Sequence, residues 1–499
     1  MLRKIRIILA LVFFIGITML FLDFTGTLHH WLGWMAKVQF LPAILAVNAA
    51  VVIILVVLTV VFGRIYCSII CPLGVFQDVI AWMGKHGKRN PYSYSKAKNI
   101  LRYIVLAIFV VALLAGVSSV VALLAPYSSY GRIAGNLFQP IYEYGNNLLA
   151  AIAAHIDSYA FYSTDVWIRS IPTFVVAALT FVIIAVLAWR NGRTYCNTIC
   201  PVGTVLSFFA RFSWFKITID TDKCRNCGTC GRYCKAACID FKHHHVDYSR
   251  CVVCGDCLGK CEFGALHYVH PKKKTEAVTS APTEVQEKEE TDTSRRSFLL
   301  AAALATTAAA MAQKDKKVDG GLAVIEDKVT PKRATPLTPP GSYSAENMAK
   351  HCTACQLCVS ECPNGVLRPS TDLGKFMQPT MSYERGYCRP ECTRCSSVCP
   401  TGAIRKIDKA EKSSIQIGHA VWVKKNCVAI NDGVDCGNCA RHCPSGAITM
   451  VPYQVDGGEV MVPAVNTERC IGCGACENLC PARPFTAIYV EGHEMHRTI

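Results

Sequence analysis

Residues 224–234 read Cys224-Arg-Asn-Cys227-Gly-Thr-Cys230-Gly-Arg-Tyr-Cys234, and residues 251–261 read Cys251-Val-Val-Cys254-Gly-Asp-Cys257-Leu-Gly-Lys-Cys261. Intervals of two, two and three residues let three thiolates wrap one iron-sulfur cubane while the fourth cysteine reaches the other cluster of a pair. The spacing assigns Cys224, Cys227, Cys230 and Cys261 to one 4Fe-4S cluster, and Cys251, Cys254, Cys257 and Cys234 to the other. Zinc fits poorly, since its ligands come as two pairs separated by a longer loop. The proline that usually follows the fourth cysteine is missing: Lys235 and Glu262 stand there. Cys238 belongs to neither run and reads as a packed thiol. His243, His244 and His245 read as solvated residues of a polar insertion between the runs.

Downstream come four more groups, Cys352/Cys355/Cys358/Cys362 and Cys470/Cys473/Cys476/Cys480 with the same spacing, and Cys388/Cys392/Cys395/Cys399 and Cys427/Cys436/Cys439/Cys443 with three and eight residues after the first cysteine, each followed by proline. These sixteen cysteines are ligands for four more clusters, making six in the chain. The tails CPNGVL, CPTGAI and CPSGAI predict tight turns leading into short strands. Such α+β polyferredoxin modules have little apolar core, so the clusters themselves hold the fold together.

Upstream, apolar runs at residues 5–22, 40–62, 103–124 and 172–189 approach the ~20 residues needed to cross hydrocarbon, predicting four transmembrane helices. The first resembles a signal peptide, but no small-residue cleavage site follows it. Residues 63–102 carry seven basic side chains, whereas 126–170 carry only Arg132 and Arg169, which places the first loop and both termini of the bundle in the cytoplasm. Two matching stretches follow the second and fourth runs: Gly63-Arg64-Ile65-Tyr66-Cys67-SII-Cys71-Pro72-Leu73-Gly74 and Gly192-Arg193-Thr194-Tyr195-Cys196-NTI-Cys200-Pro201-Val202-Gly203. Cysteines four apart share one helix face, and the proline ends the turn there. If the halves pack as a pseudo-twofold, Cys67, Cys71, Cys196 and Cys200 converge on a seventh metal centre; a thiol switch and a transient Cu(I) site fit the same residues.

Composition agrees with a chain in two halves. Of 499 residues 52% are hydrophobic and 29 are cysteine, too few and too regularly spaced for a disulfide scaffold. The formal charge of +16 counts cysteines as neutral. Six clusters at about −2 each would bring it near +4, so nucleic acid is not implied. Residues 271–293 are rich in Lys, Glu, Thr and Pro and read as a linker. Residues 294–312, Ser-Arg-Arg-Ser-Phe-Leu-Leu and an alanine-rich run, read as a twin-arginine export signal or anchor, which sends everything after it outside. The expected domains are therefore 1–215, a bundle; 216–270, a cytoplasmic two-cluster ferredoxin; 271–293, 294–312 and 313–345, linker, signal and linker; and 346–499, a periplasmic four-cluster ferredoxin.

The chain resembles a fusion of two families of periplasmic nitrate reductase accessory proteins. The first half is similar to the NapH type, through four helices, the paired C-x3-C-P motifs and the two-cluster run; the second is similar to the NapG type, through Arg295-Arg296, Pro339-Pro340-Gly341 and the four cysteine groups. The resemblance implies a bacterial inner-membrane quinol dehydrogenase component that passes electrons from the quinone pool to a periplasmic reductase or cytochrome. It also implies a nested ligand pairing, in which Cys480 joins Cys352, Cys355 and Cys358; Cys362 joins Cys470, Cys473 and Cys476; Cys443 joins Cys388, Cys392 and Cys395; and Cys399 joins Cys427, Cys436 and Cys439. The second group departs from the NapG pattern, having three residues after its first cysteine. The first half also resembles copper-reducing assembly factors of the CcoG type, and NosR-like maintenance scaffolds form a third, non-enzymatic comparison. No C-x-x-C-H or dinucleotide fingerprint follows a strand, so substrate reduction is expected elsewhere. With ~30 Å of hydrocarbon between the modules, a quinone or haem partner is expected to bridge them. His29, His30 and His155 are candidates to serve it, though they read better as interfacial residues.

Overall fold

The computed structural model describes residues 2–85, 92–158, 160–270, 326–455 and 458–499. The expected export signal at 294–312 and the linker at 271–293 lie outside them. The helical half contains α1 (Leu2–Leu22), α2 (Ala49–Phe62), α3 (Pro72–Lys85), α4 (Asn99–Leu114), α5 (Pro126–Ile133), α6 (Gln139–Ala154), α7 (Ile171–Asn191) and α8 (Pro201–Ala210). Among the described residues only α1 and α7, of 21 residues each, are long and apolar enough to cross a membrane.

The other two expected spans are broken. The run at 40–62 splits where Val47 takes a left-handed φ of +54° and Asn48 caps α2 by accepting from the Val51 amide at 3.3 Å. The run at 103–124 splits after α4, where Gly116 has φ +71°. Hydropathy reports burial preference and is blind to these backbone reversals.

α3 packs along α7, and α1, α5 and α7 close round it. Their shared interior holds Ile17, Leu20, Phe21, Leu73, Tyr127, Tyr130 and Ile133, all at most 2% exposed. Outward, Ile8, Val12 and Ile15 of α1 and Ile171, Val175, Leu179 and Ile183 of α7 stand exposed. An apolar interior and an apolar exterior together are unlike the surface of a water-soluble bundle.

The first ferredoxin module follows α8. Its hairpin pairs β1 (Lys216–Ile219) with β2 (Leu266–Val269), in the register Ile217 opposite Tyr268. It docks against one end of the bundle, where the amides of Trp214 and Phe215 donate to the carbonyls of Val60 and Val61 at 2.8 and 2.9 Å. In the second module β3 (Ile415–Trp422) pairs with β6 (Ile488–Thr498), and β4 (Ile448–Val455) with β5 (Gly458–Val465), all antiparallel. This module docks on the opposite end: Asn136 donates to Gln356 at 2.9 Å and Ser118 to the Gly374 carbonyl at 3.3 Å.

Candidate metal centres

Five of the six ferredoxin cysteine loops wrap through left-handed backbone, and the loop at 388–399, with its extra residue, does not. The second residue after the opening cysteine has φ +51° at Asn226, +50° at Val253, +51° at Ala354 and +76° at Gly472. The residue after the second cysteine does the same at Gly228, Gly255, Gln356, Gly437 and Gly474. For Val253 and Ala354 this conformation costs about 1–2 kcal/mol, which surrounding structure must offset. The reversals turn three successive thiols inward.

In the first module Cys230 faces Cys224, Cys227 and Cys261, while Cys257 faces Cys254, Cys234 and Cys251. These are the two sets that the spacing groups. The second module differs from the nested pairing. Cys352, Cys355 and Cys358 gather with Cys399, and Cys388, Cys392 and Cys395 with Cys362. Cys470, Cys473 and Cys476 gather with Cys443, and Cys427, Cys436 and Cys439 line one cavity with Cys480. The reason is packing: helix Leu357–Ser360 lies against Arg394–Val398, and Asn438–Arg441 against Ala475–Leu479, so neighbouring groups exchange their fourth cysteines.

The four cysteines of the repeat also converge. Cys200 faces Cys196, Cys71 and Cys67 across the bundle. Two fully buried arginines cross between the halves, giving the site its pseudo-twofold character. Arg64 donates to the Cys196 carbonyl at 3.2 Å and to Cys67 Sγ at 3.7 Å, and Arg193 donates to the Cys67 carbonyl. The glycine of each motif is required by this crossing, because a Cβ at Gly203 would sit 2.5 Å from the Cys196 carbonyl oxygen, and one at Gly74 would collide with that of Cys67. Gln77 Nε2 donates to Cys196 Sγ at 3.2 Å and the Gly203 amide to Cys200 Sγ at 3.3 Å.

These residues fit iron-sulfur clusters by donor set and by environment. Backbone amides aim at the sulfurs, from Ala265 to Cys261 at 3.3 Å, Ala354 to Cys352 at 3.4 Å, Ala447 to Cys443 at 3.3 Å and Ala487 to Cys480 at 3.4 Å. Such bonds stabilise negative sulfur and tune cluster potential. Burial, and then neighbouring thiols, push Cys230 up to about 11 and Cys473 up to about 12. Thiols held this high are deprotonated at neutral pH when cationic iron replaces the proton. Cys238 is 1% exposed, 3.5 Å from Cys234 Sγ and hydrogen-bonded to Cys251 as well, so it touches a cluster site without completing a set of four.

The sets follow one another. Cys230 neighbours Cys257, Cys254 neighbours Asp78 of α3, and Arg64 links the bundle thiols to the Ser249 carbonyl at 3.0 Å. Beyond the bundle thiols, Tyr195 stands between Cys196 and Arg132, and Arg132 faces Cys355. Cys358 then neighbours Cys395, and the Cys388 amide donates to the Cys473 carbonyl at 3.0 Å. Between the two modules the chain thus places four thiols, a tyrosine and an arginine. The candidate histidines stand apart: His30 and His155 are exposed, His29 is half-buried beside Gly33, and exposed His243 pairs with Asp240 at 2.7 Å. Sequence reasoning missed the roles of Arg64 and Arg193, although the Gly-Arg before each Tyr-Cys was repeated in plain view.

Comparison with known proteins agrees. A 4Fe-4S binding domain family matches residues 45–91 and 173–220, the two C-x3-C-P repeats. A 4Fe-4S dicluster domain family matches 351–428 and 434–483, and a second of the same description matches 247–366. The chain is 32% identical over 164 residues to a methylamine utilization ferredoxin-type protein, MauM, of Paracoccus denitrificans, covering 32% of this chain and 73% of that one. The chain belongs to this ferredoxin-type family. The MauM protein of Methylobacillus flagellatus is 31% identical over 165 residues, covering 32% of this chain and 70% of its own. The ferredoxin-type protein NapF of Escherichia coli K12 is 29% identical over 163 residues, covering 32% and 90%. No solved structure matches. The matches make this an iron-sulfur, ferredoxin-type electron-transfer protein.

Proposed function

We propose that this ferredoxin-type protein spans a bacterial inner membrane, oxidises quinol at its helical half and relays the electrons to a periplasmic reductase or cytochrome, as a NapH-like bundle joined to a NapG-like polyferredoxin. The observation that carries this reading is the succession of cysteine sets from the first module through the bundle thiols to the second module, with Tyr195 and Arg132 standing between the bundle thiols and Cys355. Exposed apolar faces on α1 and α7 support the membrane setting. The six tetrads of the two modules hold six 4Fe-4S clusters, and Cys67, Cys71, Cys196 and Cys200 hold a seventh group. Clusters accept and pass single electrons. The chain's part is to solvate thiolate charge with amides, Arg64 and Gln77, and to exclude water from the bundle set, whose cysteines are at most 4% exposed. The far end, where Cys427, Cys436, Cys439 and Cys480 line a cavity with Trp422, Met450 and Met461, is the exit toward the acceptor.

The test is anaerobic addition of a menaquinol analogue to oxidised, detergent-purified protein, with reduction followed by visible absorbance and electron paramagnetic resonance against a dithionite reference. Quinol should reduce a substantial fraction of the clusters. Reduction by dithionite alone would defeat the quinol reading.

A further inference from the structure

We propose that the cleft formed by Gly135, Asn136, Gln139, Glu143, Trp167 and Arg169 binds the headgroup of an isoprenoid quinol. The inference rests on the quinol reading above and adds the place where that substrate sits. The cleft is concave and open on one side.

Its position is set by a π-helical turn, Ala134–Phe138, between α5 and α6. Such turns are rare and collect at functional sites, because one extra residue re-aims the side chains around it. Here the turn presents Asn136, 8% exposed, to Gln356 in the loop between Cys355 and Cys358, with Nδ2 donating at 2.9 Å. A Cβ at Gly135 would lie 3.1 Å from Ser360 Oγ. Arg169 faces Cys358 and Cys362, one cysteine from each of the two sets nearest the bundle. Three residues of the cleft lining, Gly135, Asn136 and Arg169, therefore lie against the cysteine loop.

Its chemistry suits a quinol, which carries a hydroxyl or carbonyl at each end of a flat ring. Gln139, 1% exposed, donates to Glu143 Oε1 at 2.9 Å and accepts from Arg169 Nη1 at 3.2 Å. Glu143 is thus an acceptor for a hydroxyl, and Arg169 a donor to a carbonyl, held apart by a buried amide. The Trp167 ring closes one side, fixed by Arg368 and Arg385 at 4.8 and 4.5 Å from its centre.

The tail has a path as well. α6 leaves the cleft with Ile141, Tyr144, Leu148 and Ile152 exposed along one stripe, and α7 begins beside it with Ile171 64% and Val175 48% exposed. A small water-soluble ligand would have no use for that surface, whereas an isoprenoid chain would lie along it.

The test uses the intact, oxidised protein in detergent and the fluorescent quinol analogue 2-heptyl-4-hydroxyquinoline N-oxide, whose emission is quenched on binding. Glu143→Gln should weaken binding about tenfold or more, the usual effect of losing a charge-assisted hydrogen bond. Ile168→Trp, which fills the cleft from its rim, should weaken it comparably. Iron content and visible spectrum should match the wild type in both, which excludes misfolding. Unchanged affinity in both variants, with quinol still reducing the clusters, overturns the cleft and leaves the quinol reading intact. No binding to the wild-type protein, with no reduction by quinol, overturns both.

Discussion

Asp78 on α3 is the buried carboxylate that joins the first module to the bundle, and replacing it with asparagine should loosen that joint selectively. Its Oδ1 accepts from Arg193 Nε at 2.6 Å, and its Oδ2 meets Lys235 Nζ at 2.9 Å and the Arg6 guanidinium. Side-chain exposure is 9% for Asp78, 0% for Arg193, 8% for Lys235 and 10% for Arg6, so water screens none of them well. Lys235 keeps a second partner in Asp256 at 3.2 Å, but in Asp78→Asn the charges of Arg6 and Arg193 lose their only carboxylate among these contacts. Removing one member of a buried pair costs about 3–5 kcal/mol. At about 1.4 kcal/mol per decade this is two to four orders of magnitude in local opening. Native-state amide exchange over α3 and residues 230–239 reads it directly. Arg3→Ala is the internal contrast: Arg3 is 50% exposed against Asp256 at 2.9 Å, so its loss should cost less than about 1 kcal/mol. Exchange in Asp78→Asn within threefold of wild type would refute the reasoning.

Cys399→Ser should remove the cluster nearest the bundle and Cys480→Ser the one at the far end, so that an interacting-spin signal from the cluster at Cys388, Cys392, Cys395 and Cys362 is simplified by the first change alone; the reverse result would restore the nested pairing. Cys238→Ser should leave iron content unchanged, since Cys238 completes no tetrad, and loss of about four irons per chain would make it a ligand. His496, where burial lowers the ring to about 4, packs its Nε2 2.9 Å from Thr338 Oγ1. Its folded-state value lies below the unfolded ~6.5, so the folded form binds fewer protons and stability falls as pH drops from about 6.5 toward 4, by at most about 3 kcal/mol. His496→Gln should flatten that slope in thermal melts of the second module's sheet signal; an unchanged slope would contradict it.

How much was legible depends on how local the determinant is. Which cysteines gather in the first module was legible because they come from two short loops, and the left-handed turns at Asn226 and Val253 accompany that spacing. Which fourth cysteine completes each set of the second module was not, because it depends on which short helices pack together, and spacing carries no record of Leu357–Ser360 meeting Arg394–Val398. Convergence of Cys67, Cys71, Cys196 and Cys200 could be anticipated from the repeat, whereas the crossing of Arg64 and Arg193 needed the two halves placed face to face. The breaks at Val47 and Gly116 escape any hydropathy window, and the π turn at Ala134–Phe138 has no sequence signature.

The two modules should form one electron path through the bundle thiols. The most direct test places the protein in sealed vesicles with the second module outward and adds an impermeant reductant, titanium(III) citrate, outside. Visible bleaching should reach the value of the detergent-solubilised control in the wild type. In Cys196→Ser/Cys200→Ser it should stop at about two-thirds, the four outer sets of six. Bleaching that stops there in the wild type too would contradict the account, because the inner module would then be electrically separate from the outer one.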